Sequence, residues 1–165
     1  MTFTDTHCHL ADPKLADMLP AVLTEAQAVG VARFIVPATS PNDWQAVTQL
    51  EMPSENIHIA LGIHPWFSDG LNEAAFQELE SELIRHPQAW VGEIGLDFYG
   101  KEQTQAQRDT QTDVFIRQLT LAQHLNRRVI IHNLKATAAI AAAVKTTGFT
   151  RGGIVHAFSG SVEEA

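Results

Sequence analysis

Two histidines one residue apart, His7 and His9, stand in Asp5-Thr6-His7-Cys8-His9-Leu10 just after a short apolar run. On a strand, side chains two apart share a face, so the two imidazoles converge on one point. Converging imidazoles are how a protein holds a divalent cation. Glu93, His132 and His156 each close a later apolar run in the same way. Metal sites use three or four protein ligands per ion, and a carboxylate can bridge a pair of ions. The five groups therefore make five candidate ligands for divalent cations, with zinc, magnesium and manganese all compatible. A lone H-x-H or a lone strand-end histidine is usually an ordinary hydrogen-bonded residue. Joint placement at successive strand ends is what points to metal-dependent hydrolysis.

The neighbours of these groups refine the chemistry. Glu93 lies within Val91-Gly92-Glu93-Ile94-Gly95-Leu96-Asp97, where burying an unpaired carboxylate costs several kcal/mol and a bound cation removes that cost. The alternative is a capping or salt-bridged Glu. Asp97 either orients a ligand or caps the next helix, and the second reading is preferred. Asp5 either fixes an imidazole from behind or simply ends a strand. In Leu61-Gly62-Ile63-His64-Pro65-Trp66, His64 is placed to bind a substrate phosphate and Trp66 to stack on a base or sugar. A structural hydrogen-bonding His64 with Trp66 packed in a lid is the equal alternative. Ser159 lacks the G-x-S-x-G elbow of a hydrolase nucleophile and reads as a loop residue. Cys8 alternates with two candidate ligands, so it points to the core.

These groups need a scaffold that delivers strand ends to one place. Short β-rich runs alternate with helical stretches, the mark of βα units around a parallel sheet. Strands are expected at Phe3–His7, Ala32–Pro37, Ile57–Ile63, Trp90–Glu93, Val129–His132 and Ile154–His156, and helices near 14–28, 41–51, 72–85, 105–125 and 136–147. The helix at 105–125 is the clearest: Phe115, Leu119 and Ala122 fall at i, i+4, i+7, Val114, Leu121 and Leu125 widen the stripe, and Arg108, Asp109 and Arg117 lie outside it. Val129-Ile130-Ile131 is apolar without alternation, as in a strand covered on both faces. Gly30 and Gly148 read as helix stops. An open doubly wound sheet would carry a Gly-rich phosphate loop, and none of the known patterns occurs. Candidate ligands after many different strands favour an α/β fold of the (β/α)₈ TIM-barrel type. A complete barrel takes about 250 residues, so the expectation is one incomplete barrel domain over 1–165, with about six strands and five helices and open edges prone to self-association.

At 165 residues and 45% hydrophobic, the chain can bury a sizeable core. It has no apolar stretch near the roughly 20 residues of a membrane span, and its single cysteine excludes an intramolecular disulfide and argues against a disulfide-linked partner. A cytoplasmic location is expected. The net charge of −8 argues against nucleic-acid binding through a broad basic surface, although bound cations can still receive phosphates.

Taken in order, DTHCHL, GIHPW, VGEIGLD, IIHNLKA and HAFSG resemble the signature segments of the TatD family of metal-dependent deoxyribonucleases, within the amidohydrolase-like barrels. The resemblance runs through essentially the whole chain. It implies a two-metal nuclease in which His7 and His9 hold one ion, His132 and His156 the other, Glu93 bridges both, and His64 places the scissile phosphate. DNA is then the substrate, cleaved by metal-activated water, with Glu93 and His64 as the catalytic groups. Two departures stand out. Family members usually continue to a Glu-Thr-Asp-x-Pro motif whose Asp completes the first metal site, and that Asp is absent here. Where the family commonly has Arg two residues after the fifth-strand histidine, this chain has Leu134 with Lys135 adjacent. Lys135 is a candidate phosphate contact, but a point charge rather than a bidentate fork. Two other readings use the same residues: hydrolysis of a cyclic amide or small phosphoester at the same metals, and an inactive partial barrel that associates with itself or a partner.

Overall fold

Apolar strand residues in this chain alternate between two destinations, a helix-covered outer face and an inner face. A computed structural model describes residues 1–51, 56–100, 102–158 and 160–164. The strands are β1 (Phe3–Asp5), β2 (Val31–Pro37), β3 (Ile57–Leu61), β4 (Trp90–Asp97), β5 (Val129–Leu134) and β6 (Gly153–His156). The helices are α1 (Leu19–Ala28), α2 (Trp44–Glu51), α3 (Glu73–Arg85), α4 (Gln105–His124) and α5 (Thr137–Thr147). The six strands pair in chain order, every neighbour parallel, and curl into a TIM-like half-barrel with helices on the outside. This is the expected α/β barrel architecture. No described helix is long and apolar enough to cross a membrane.

Phe34 and Val36 of β2, Ile57, Ile59 and Leu61 of β3, and Val129 and Ile131 of β5 join the core beneath the helices. Between them, Ile35, Ala60 and Ile130 form a second cluster with Trp90 and Ile154. Both faces are therefore apolar, which explains the unbroken run in β5.

Several boundaries differ from those expected: β1 and β3 end earlier, at Asp5 and Leu61, β5 runs on to Leu134, and three further differences bear on the site. The first helix begins at Leu19, after a 3-10 turn over Pro13–Leu15 capped by Asp12. Pro20 sits in its first turn, where a missing N–H costs nothing. The second helix starts at Trp44, because Asp43 instead accepts the backbone N–H groups of Thr39 and Ser40 at 2.9–3.1 Å. Strand β4 runs through Glu93 to Asp97, four residues beyond its expected end at Glu93.

Gly92 and Gly95 allow close packing. A Cβ on Gly92 would lie 2.7 Å from the Ile130 Cβ, and one on Gly95 would lie 2.1 Å from the His132 carbonyl oxygen. Val91 pairs with Val129 and Ile94 with Ile131, so three steps along β4 match two along β5. The extra residue breaks the inner–outer alternation at Glu93, which is how a bulge re-aims a side chain. The Gly92–Glu93 peptide is cis.

Helix α4 opens with a capping box between Thr104 and Gln107. Its apolar stripe carries two buried amides, Gln111 and Gln118, seven residues apart. Gln118 accepts the Ile63 N–H at 2.8 Å and donates to the Ile63 carbonyl at 3.0 Å. Gln111 accepts the Asp97 N–H at 3.0 Å. Both glutamines hold the segments that carry His64 and Asp97. Arg108, expected on the outer face, is half-buried with its guanidinium over the Phe98 ring.

Candidate metal centre

The C-terminal ends of the strands surround a cavity of about 410 Å³ lined by His7, His9, His64, Trp66, Glu93, His132 and His156. His7 and His9 lie just beyond β1, which is shorter than expected. Their Nε2 atoms are nevertheless 3.2 Å apart, and they stand 3.3 and 4.0 Å from Glu93 Oε2. The other carboxylate oxygen, Oε1, lies 2.9 Å from His132 Nδ1 and 3.8 Å from His64 Nε2. Glu93 is 3% exposed, so the bulge in β4 has driven one carboxylate between two sets of imidazoles.

Electrostatics follow from that geometry. Burial works against the Glu93 anion, yet hydrogen bonds with His132 and His7 outweigh it and hold the carboxyl well below the usual range. Burial also opposes charge on His132, but Glu93 and Asp97 prevail and raise its pKa. Burial pushes His64 down to about 4, against the pull of Glu93, and lowers His156, with His7 adding to the effect.

Several expected roles are redistributed. His156 stacks flat on His7, with ring centroids 3.6 Å apart, and its own centroid is 6.3 Å from that of His132. The carboxylate-centred donor groups among the described residues are His7, His9, Glu93 and His64, Glu93, His132. His64 caps the turn Pro65–Phe67 by accepting the Trp66 backbone N–H on Nδ1 at 3.2 Å. In the neutral ring the proton then sits on Nε2, facing the cavity, which suits a donor to substrate better than a metal ligand. Trp66 is 72% exposed and does not pack into a lid.

Asp97 caps no helix, since Thr104 caps α4. It accepts instead from Trp66 Nε1 and stands beside His132. Asp5 accepts the backbone N–H of His7 at 3.1 Å rather than holding its ring. Lys135 is exposed and lines a neighbouring hollow with Phe98 and Thr137. Cys8 packs against the core as expected, and burial pushes its thiol up to about 12. Ser159 lies outside the described residues. Asp12, Thr39 and Asp43 also line the cavity. No spacing in the sequence marks them, although the polar Gln111 and Gln118 on an apolar helical stripe were a readable signal.

The donor set fits a divalent cation. Ligands bound at about 2.0–2.2 Å at tetrahedral angles lie roughly 3.3–3.5 Å apart, close to the 3.2 and 3.3 Å separations around His7 Nε2. Imidazoles and a carboxylate suit zinc or manganese.

Fold and donor set together define a class, the βα-barrel proteins whose histidine and carboxylate groups gather at the C-terminal ends of the strands. Within that class the chain belongs to the TatD related DNase family, whose model matches residues 4–165. It is 34% identical to the uncharacterized metal-dependent hydrolase YjjV of Escherichia coli K12, covering 99% of this chain and 62% of the relative. The crystal structure of YjjV, described as a TatD homolog, superposes with a TM-score of 0.91 over the same shares. Human deoxyribonuclease TATDN3 is 27% identical, over 94% of this chain and 60% of the relative. The chain thus spans about 60% of the length of these relatives.

Proposed function

We propose that this site belongs to a hydrolase of DNA phosphodiester bonds that works with two divalent cations. The observation carrying the reading is Glu93, whose two oxygens face two separate imidazole sets. His7, His9 and Glu93 Oε2 would hold one cation, and Glu93 Oε1 with His132 the other, while His156, stacked on His7, lies on the side of the first. When bound, such cations activate water and neutralise charge on phosphoryl oxygens. His64 Nε2 is the protein donor available to a phosphate oxygen, and Trp66 offers an exposed ring to a base. The name of human TATDN3 supports DNA as the substrate class.

Metal-stripped chain reloaded with manganese or zinc and freed of excess ion is expected to retain about two ions. It is also expected to release nucleotides from a labelled DNA oligomer, with activity lost to chelator and restored by added cation. Glu93→Gln should lose both ions and at least about 100-fold in rate. Two bound ions without DNA cleavage, but with turnover of dihydropyrimidines or lactones, would replace the nuclease reading with the small-substrate one.

A further inference from the structure

Asp97 is 5% exposed and stands behind the donor set without lining the cavity. Its Oδ2 lies 2.7 Å from Trp66 Nε1 and 3.3 Å from His132 Nε2, while Oδ1 accepts the Tyr99 backbone N–H at 3.1 Å. The residue is braced on its backbone too, donating to Gln111 Oε1 and accepting from Gln103 Nε2, each at 3.0 Å. An indole nitrogen only donates and an ionised carboxylate only accepts. Both contacts at Oδ2 therefore run one way. His132 Nε2 holds its proton toward Asp97, and Nδ1 is the nitrogen turned to Glu93. At the other end, Trp66 is pinned by its nitrogen while most of its surface faces solvent at the cavity mouth.

We propose that Asp97 is a positioning residue with two duties on one oxygen: it fixes His132 with Nδ1 facing Glu93, and it locks the Trp66 indole at the cavity mouth as a platform for an unpaired nucleobase. The first duty stands on the geometry of the donor set; the second rests on the nuclease reading above. A carboxylate that orients a ligating imidazole typically matters 10–100-fold in metal affinity. Stacking of one base on an aromatic ring is worth about 1–3 kcal/mol, or roughly 5–150-fold in binding.

The test uses ¹⁵N-labelled chain with Asp97→Asn and Trp66→Ala variants. The unaltered chain should show slowly exchanging Trp66 Nε1–H and His132 Nε2–H resonances, the latter identified by its loss in His132→Gln. Asp97→Asn should move both resonances and weaken Zn²⁺ binding, measured by calorimetry with the metal alone, by about 10–100-fold. Trp66→Ala should leave the His132 resonance and Zn²⁺ affinity in place while weakening binding of a single-stranded oligonucleotide to the Zn²⁺-loaded chain. An unmoved His132 resonance with full Zn²⁺ affinity in Asp97→Asn overturns the first duty. Undiminished oligonucleotide binding by Trp66→Ala overturns the second.

If Asp97→Asn does not fold, the unaltered chain still decides the first duty, because a His132 protonated on Nδ1 alone refutes it. If no oligonucleotide binds even the unaltered chain, the nucleobase platform falls with the nuclease reading, and the imidazole and Zn²⁺ measurements still judge Asp97.

Discussion

His132 and His9 are both candidate ligands, yet they sit in opposite electrostatic settings. His132 is buried between Glu93 and Asp97, at 2.9 and 3.3 Å, whereas the side chain of His9 is 48% exposed. Removing the first leaves two buried carboxylates without their shared partner, and removing the second uncovers little. In chelator, His132→Ala is expected to lose about 3–5 kcal/mol of unfolding free energy, and His9→Ala under about 1 kcal/mol. Urea denaturation followed by circular dichroism measures both, and equal losses would refute the assignment. With metal present the two should converge, because each variant lacks one of the proposed ligands. Histidine spacing suggested both residues but could not rank them, since the sequence carries no sign of what surrounds each ring.

At the level of elements, β4 and α4 do most of the positioning. Gly95 has φ +135° and faces the His132 carbonyl, so Gly95→Ala adds both backbone strain and a clash with β5. A loss of about 3 kcal/mol or more is expected, seen as a lowered melting temperature or failure to fold. Gln118→Ala should cost about 1–3 kcal/mol by leaving the Ile63 backbone groups buried and unpaired, and should disturb His64 through the same segment. Histidine NMR resonances provide the check: an unshifted His64 would show that Gln118 supports the fold alone. The expected end of β4 at Glu93 failed for one reason. Glycine in a sequence signals a turn and a close strand approach equally well, and only the neighbouring strand distinguishes them.

For the whole molecule, net charge and open edges set the expectations. With a charge of −8, the chain should bind oligonucleotides weakly in chelator and much more tightly with divalent cations, a contrast that fluorescence anisotropy would show. Comparable binding in chelator would point to a basic surface instead. Strands β1 and β6 are the outer members of the described sheet, and Phe3 and Val155 on them are 54% and 49% exposed. Such edges favour pairing with further chain. Sedimentation over a range of concentrations should therefore reveal association, and a monomer throughout would count against it.

Much of this was written in the order of residues. Alternating β-rich and helical runs determined a parallel βα architecture, because the periods of two and 3.6 are local properties of the chain. Histidines and a glutamate in or just beyond the later parts of four strands pointed to one end where these groups would gather, because parallel strands all point the same way. Tertiary structure decided the rest. One extra residue in β4 against β5 turned Glu93 into the centre, and Asp97 became a partner of His132 and Trp66 rather than a helix cap. His156 came to rest on His7, and Lys135 faced a different hollow. Each of these depends on register and on contacts between residues far apart in sequence, which no local pattern encodes.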